Sequence, residues 1–182
     1  MVVLGDTMNY PPESVFRGCY DLRAIHVDED NAHFASVDGN LYTKDKERLL
    51  YAPERSENPV TSITVKKDEV VTYMDFVNHM KLESVLVEDG HARYSSKDGI
   101  LYDVTGDTLI YCPRQHKNPA IAEGTKVIGS HAFYNNNHFS TIEIPNSVTT
   151  IGNYAFEACY GLKNITIPES VHTMRDAFSL CD

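Results

Sequence analysis

Apolar residues along the chain fall into short triplets that return. Leu22, Ile25 and Val27 are followed by Leu82, Val85 and Val87, then by Phe139, Ile142 and Ile144, then by Leu162, Ile165 and Ile167. In each set the last two alternate with one polar or variable residue, the period of a short half-buried strand. The residues between them, His26, Leu86, Glu143 and Thr166, are predicted to point outward in a row. Pro145 and Pro168 end their strands, because proline has no N–H to give to a ladder.

The triplets belong to larger repeats. Residues 16–59 align with 76–119 without a gap, so that Phe16 meets Phe76, Asp38-Gly39 meets Asp98-Gly99, and Tyr51 meets Tyr111. The shared residues are mostly apolar, turn-forming or proline, which record a common backbone path and not a common chemistry. Downstream a shorter unit takes over. The stretch "IEIPNSVTTIGNYAF" (142–156) is echoed by "ITIPESVHTMRDAF" (165–178) and in part by "IAEGTKVIGSHAF" (121–133), with periods of 23 and 22 residues. Such periods mark a solenoid, in which one unit is too small to bury its own apolar face and copies stack to share a core.

Two signals give each unit its shape. Asp38-Gly39 and Asp98-Gly99 are hairpin turn signals between β-rich runs, so each long copy reads as a small β-meander inserted into a solenoid coil. The "IGxxAF" segments at 128–133 and 151–156 place glycine at a tight bend and return Ala and Phe to the core, a pattern we assign to a short helical turn. The expected organisation is one domain. Residues 1–15 form an N-terminal cap or partial repeat, 16–75 and 76–132 are long repeats with insertions, and 133–155 and 156–182 are short repeats.

Composition narrows the function classes. The 182 residues are 42% hydrophobic and 23% charged, values of a folded globular chain. A net charge of -10 without a Lys/Arg stripe argues against nucleic acid as a partner. No apolar run has the length of a membrane span, so insertion by this segment is not expected. The start "MVVLGDTMNY" lacks the basic flank and long apolar stretch of a signal peptide, which leaves a cytosolic chain or one whose targeting segment lies outside this sequence.

With "IPNSVTTIGNYAFEAC", "IPESVHTMRDAFSLC" and the "DGNLY" and "DGILY" islands on the page, the chain from about Phe16 onward resembles the BspA-like leucine-rich-repeat proteins of bacteria. It departs from their pattern in residues 63–76, which lack the Pro and Gly, and at Arg175, which stands at a Gly position. The resemblance implies a curved, right-handed leucine-rich-repeat solenoid of short parallel strands, exposed on the cell surface or secreted. It implies adhesion and protein–protein contact, with host extracellular-matrix or plasma proteins as partners, and no catalysis and no cofactor. The outward row His26, Thr64, Leu86, Glu143 and Thr166 is the first candidate partner-binding surface, and the meanders are the second. The structural alternative is a spacer that holds another domain away from the cell. The last "AFxxC" element is followed by no distinct capping unit, from which we expect a piece of a longer repeat protein or end-to-end self-association.

Other candidate chemistries are weaker. Cys19, Cys159 and Cys181 each follow a Phe by three residues, as expected for a ladder of small buried residues, and His79 takes the same slot at what we expect to be a partly exposed edge. No CxxC pair supports zinc. Cys112 and His116 in "CPRQH" lack a third, orienting group for nucleophilic work. The acidic stretches "DEDN" (28–31) and "EDGH" (88–91) follow strand ends and read as solvated turns, with calcium the alternative. Tyr42, Tyr51, Tyr102 and Tyr111 either close the cores of the meanders or form an aromatic binding patch.

Overall fold

The computed structural model describes residues 1–9, 15, 16 and 18–181, and these divide into two compact units. The first comprises residues 1–60 with 78–81, and the second residues 61–77 with 82–182. Both are built of β-solenoid coils with almost no helix.

In the first unit, β1 (Val2–Leu4) and β2 (Ile25–Val27) run parallel with Val2 opposite Ile25 and Val3 opposite His26. The meander follows as β3 (Phe34–Val37), β4 (Asn40–Thr43) and β5 (Leu49–Tyr51), an antiparallel sheet in that order. Its first turn is Asp38-Gly39 at φ 51° and 77°, the double left-handed conformation of a type I′ hairpin. Gly39 has a second duty. Its carbonyl accepts the N–H of Ile25 at 2.9 Å, and a β-carbon on it would stand 2.9 Å from that of Ala24. Asp98-Gly99 repeats both features in the second unit, with the Gly99 carbonyl accepting from Val85 at 2.8 Å.

The second unit opens with the parallel pair β6 (Ser62–Val65) and β7 (Ser84–Val87). Its meander is β8 (Tyr94–Lys97), β9 (Ile100–Asp103) and β10 (Thr108–Tyr111). The third strand does more than close an insertion. β10 pairs antiparallel with β9 and, on its other edge, parallel with β11 (Val127–Ile128). The remaining rungs are β12 (Thr141–Ile142), β13 (Thr150–Ile151), β14 (Asn164–Ile165) and β15 (Thr173–Met174). They form a mixed sheet in the order β8-β9-β10-β11-β13-β15 and a separate parallel pair, β12-β14.

Inside the second unit the inward residues stack by repeat. Phe133 lies on Phe156 with centroids 5.0 Å apart and planes within 6°, and Phe156 lies on Phe178 at 5.2 Å. Phe133 and Phe156 are fully buried, each contributing about 1.5–3 kcal/mol from removal of its surface from water. Offset stacking adds roughly 0.5–1.5 kcal/mol per pair. Ile128, Ile142 and Ile151 line the same core.

The expected helical turns are absent. Apart from a single 3₁₀ turn at Tyr73–Asp75, the described chain has no helix, and the "IGxxAF" segments are irregular turns. A helix would spend its N–H groups within itself. Here His131, Phe133 and Asn135 donate across to the carbonyls of Asn153, Ala155 and Glu157 in the next coil, and Tyr154, Phe156 and Ala158 donate to Asp176, Ala177 and Ser179. The glycines also act differently from expectation. Gly129 and Gly152 are not in the left-handed region; a β-carbon on Gly152 would fall 2.6 Å from the amide nitrogen of Ser130. They permit close approach of adjacent coils.

Candidate functional site

The outward row starts in the first unit. His26, in the middle of β2, is exposed beside Val3, itself 63% exposed. It borders a hollow of about 450 Å³ lined also by Arg23, Ser36, Asp38 and Glu57. The hydroxyl of Ser36 accepts the N–H of Val27 at 3.1 Å, so the meander holds β2 in place.

In the second unit the row is in two parts. Thr64 and Leu86 are directly opposite in the β6–β7 pair, both exposed. One step along, the hydroxyls of Ser84 and Ser62 bond at 2.8 Å. Leu86 is 45% exposed, an apolar side chain on an otherwise hydroxyl-rich strip. Glu143 and Thr166 follow the paired strands β12 and β14 and border one open groove of about 620 Å³. Thr141, Asn164, Asn146 and Glu123 complete its polar lining, and Pro145 and Pro168 stand where the strands end. The 119–124 stretch contributes Glu123 without forming a strand.

Thus Thr64 pairs with Leu86, Glu143 shares a groove with Thr166, and His26 lies in the other unit. Two members of this surface escaped the reading of the sequence. Val3 lies in a segment that aligned with no repeat, and Glu123 follows a coil without its strand proline.

The remaining candidates resolve into structural roles. Cys112 and Cys159 are fully buried and all four cysteines are free. The Cys159 thiol donates to the Phe133 carbonyl at 3.0 Å and that of Cys181 to the Phe156 carbonyl at 2.9 Å, each bridging to the preceding coil. Burial pushes the Cys159 thiol up to about 12 and drives Cys112 still higher, which removes thiolate chemistry. Cys19 departs from the ladder: it is exposed, with no such carbonyl among its described contacts. His79, expected at a partly exposed edge, is instead buried at 3% exposure, like Cys159 and unlike Cys19. His116 does not serve Cys112, since its Nε2 is bonded to the Asp98 carbonyl at 2.6 Å.

Neither acidic stretch gathers ligands. Asp28 accepts the N–H of Asp30, Glu88 accepts that of Lys67, and among the described residues no group of three or more metal-ligating side chains converges. Tyr51, Tyr102 and Tyr111 are buried in the cores, and burial raises the phenol of each. No described helix is long and apolar enough to cross a membrane.

Residues 108–182 match the BspA type leucine rich repeat region in six copies, a match that begins at the first residue of β10. Among solved structures the chain is similar to the pneumococcal vaccine antigen PcpA, with 22% identity over 93% of this chain and 39% of that one, at a TM-score of 0.59. It is also similar to a leucine rich cell surface protein from Faecalibacterium prausnitzii A2-165, with 23% identity over 92% of this chain and 53% of that one, at a TM-score of 0.50. The chain therefore spans about two fifths to one half of those structures. A search of curated proteins by sequence finds no match.

Proposed function

We propose that this chain, whose residues 108–182 are BspA-type leucine-rich repeats, is a non-catalytic protein-binding module of a bacterial surface or secreted protein. The observation that carries the reading is the outward strand surface. Thr64 and Leu86, and separately Glu143 and Thr166, present mixed hydroxyl, carboxylate and apolar groups from backbone within, or directly after, a parallel strand pair. A surface so held loses little conformational entropy on binding. The description of one similar structure as a cell surface protein, and of another as a vaccine antigen, supports an address outside the cell. The partner class we assign is a protein, with host extracellular-matrix and plasma proteins the first to try. A net charge of -10 favours basic or neutral patches on it.

The test is a binding screen of the chain against immobilised matrix and plasma proteins at physiological salt. The expected result is saturable binding that weakens as salt rises and is lost in the combined His26→Ala, Glu143→Ala and Thr166→Ala variant. Binding unchanged in that variant would remove the strand surface from the account. Silence across the panel, from a folded and monodisperse sample, would favour a spacer that binds nothing.

A further inference from the structure

Four rings gather where coils of the second unit turn. His131 lies flat against Tyr73, with centroids 4.3 Å apart and planes within 4°. Tyr154 leans on the same imidazole at 5.3 Å, and Tyr134 meets it edge-on at 6.2 Å. Tyr154 is 38% exposed. The Glu157 carboxylate stands 3.5 Å from Nε2 of His131, while Nδ1 is shielded from water and has no hydrogen-bond partner.

Core packing does not account for this arrangement. The core positions of these turns belong to Ala132 and Phe133, and to Ala155 and Phe156, all fully buried. His131 and Tyr154 instead sit at φ 57° and 59°, in the left-handed region that disfavours any residue with a β-carbon. The next such turn carries Asp176 at φ 48°. Asn135, Ala158 and Leu180 share this left-handed backbone, so it belongs to the coil; what is particular here is that it brings four rings together and leaves Tyr154 exposed, which points to use of the side chains.

We propose that this aromatic corner receives a cationic side chain, the guanidinium of arginine or the ammonium of lysine, presented by a protein partner. Ring faces attract cations through their quadrupole, and the attraction grows when a carboxylate lies beside them. Glu157 supplies that carboxylate, and among its described contacts its only ionic neighbour is the His131 imidazole. The negative net charge of the chain draws cationic groups in and repels acidic ones. The proposal does not rest on the outward strand row, whose residues lie elsewhere in each coil.

The experiment is a titration of the full chain with the capped peptide Gly-Arg-Gly and with its citrulline counterpart, following the ring protons by NMR. Citrulline keeps the shape and removes the charge. Arginine should shift the His131 and Tyr154 signals saturably, with citrulline at least tenfold weaker. Tyr154→Asn should abolish the response, since asparagine accepts the left-handed backbone and lacks the ring, and Glu157→Gln should weaken it severalfold. Equal responses to the two peptides, silence at these rings, or an indifferent Tyr154→Asn would overturn the proposal. So would a neutral oligosaccharide shifting the rings where arginine does not. Should Tyr154→Asn lose its cooperative melting, the Glu157→Gln titration decides.

Discussion

His91 and Asn31 stand at the same repeat position and make the same bonds with different chemistry. Asn31 Oδ1 accepts the N–H groups of His33 and Phe34 at 2.9 and 2.8 Å, and its Nδ2 donates to the carbonyls of Gly5 and Met8. His91 Nδ1 accepts those of Arg93 and Tyr94 at 3.0 and 3.1 Å, and its Nε2 donates to the Glu69 carbonyl at 3.0 Å. Each side chain is buried and fastens the turn after a strand to the preceding coil. An imidazole can copy an amide only as the neutral Nε2–H tautomer.

The two side chains should therefore be exchangeable. His91→Asn keeps an acceptor for the N–H groups of Arg93 and Tyr94 and a donor for the Glu69 carbonyl, and should be nearly neutral at pH 7.5. His91→Ala leaves the two N–H groups without that acceptor and should cost about 1–3 kcal/mol. Chemical denaturation of both variants at pH 7.5 measures it, and an equal loss in both would sink the idea.

Buried thiols set an alkaline limit to stability. The Cys159 thiol is pushed from an ordinary 9.0 up to about 12, so the folded chain holds a proton there that the unfolded chain releases. Stability should be complete below pH 9 and decline toward pH 12. At pH 8 a thiol reagent should label Cys19 rapidly and leave Cys112 and Cys159 until the protein unfolds. Fast labelling of all four cysteines in the native protein would contradict the burial.

Two glycines separate crowding from backbone strain. Gly152→Ala places a methyl 2.6 Å from the Ser130 nitrogen, on backbone that cannot move without parting two coils. We expect a loss of about 3 kcal/mol. Gly106, at φ 78° with open space around it, should lose only about 1–2 kcal/mol on change to alanine. Thermal melts of the two variants give the order, and the reverse order would refute close approach as the reason for Gly152.

Surface and core substitutions should part company. Leu86→Asp and Glu143→Ala act on exposed side chains and should leave stability within about 0.5 kcal/mol. Phe156→Ala removes the middle ring of a three-ring stack and should cost about 3–5 kcal/mol. If Leu86→Asp melted as early as Phe156→Ala, the strand surface would be a structural seam and not a free one.

How much of this could be read beforehand depends on the kind of signal. Asp38-Gly39 and Asp98-Gly99 announced their hairpins because few residue pairs accept two consecutive positive φ angles. The inward isoleucines announced the strands because alternation is a period-two signal. The turns at 128–133 and 151–156 read as helical in sequence and are not, because composition does not say whether an N–H bonds within its own turn or to the next coil. Asn31 and His91 passed for parts of acidic loops, since an amide and a neutral imidazole look unlike as letters and act alike as a donor–acceptor pair. His131 and Tyr154 hold the same place in "IGSHAF" and "IGNYAF" but differ as letters, and only the structure shows that their rings meet.

β10 belongs at once to the hairpin sheet and to the stack of coils. A chain built on such a strand can lengthen or shorten the hairpin ahead of it without disturbing the rungs that follow. The sixty-residue and twenty-three-residue periods then become two spellings of one growth rule, and the number and placing of hairpins can drift while the stack keeps its pitch.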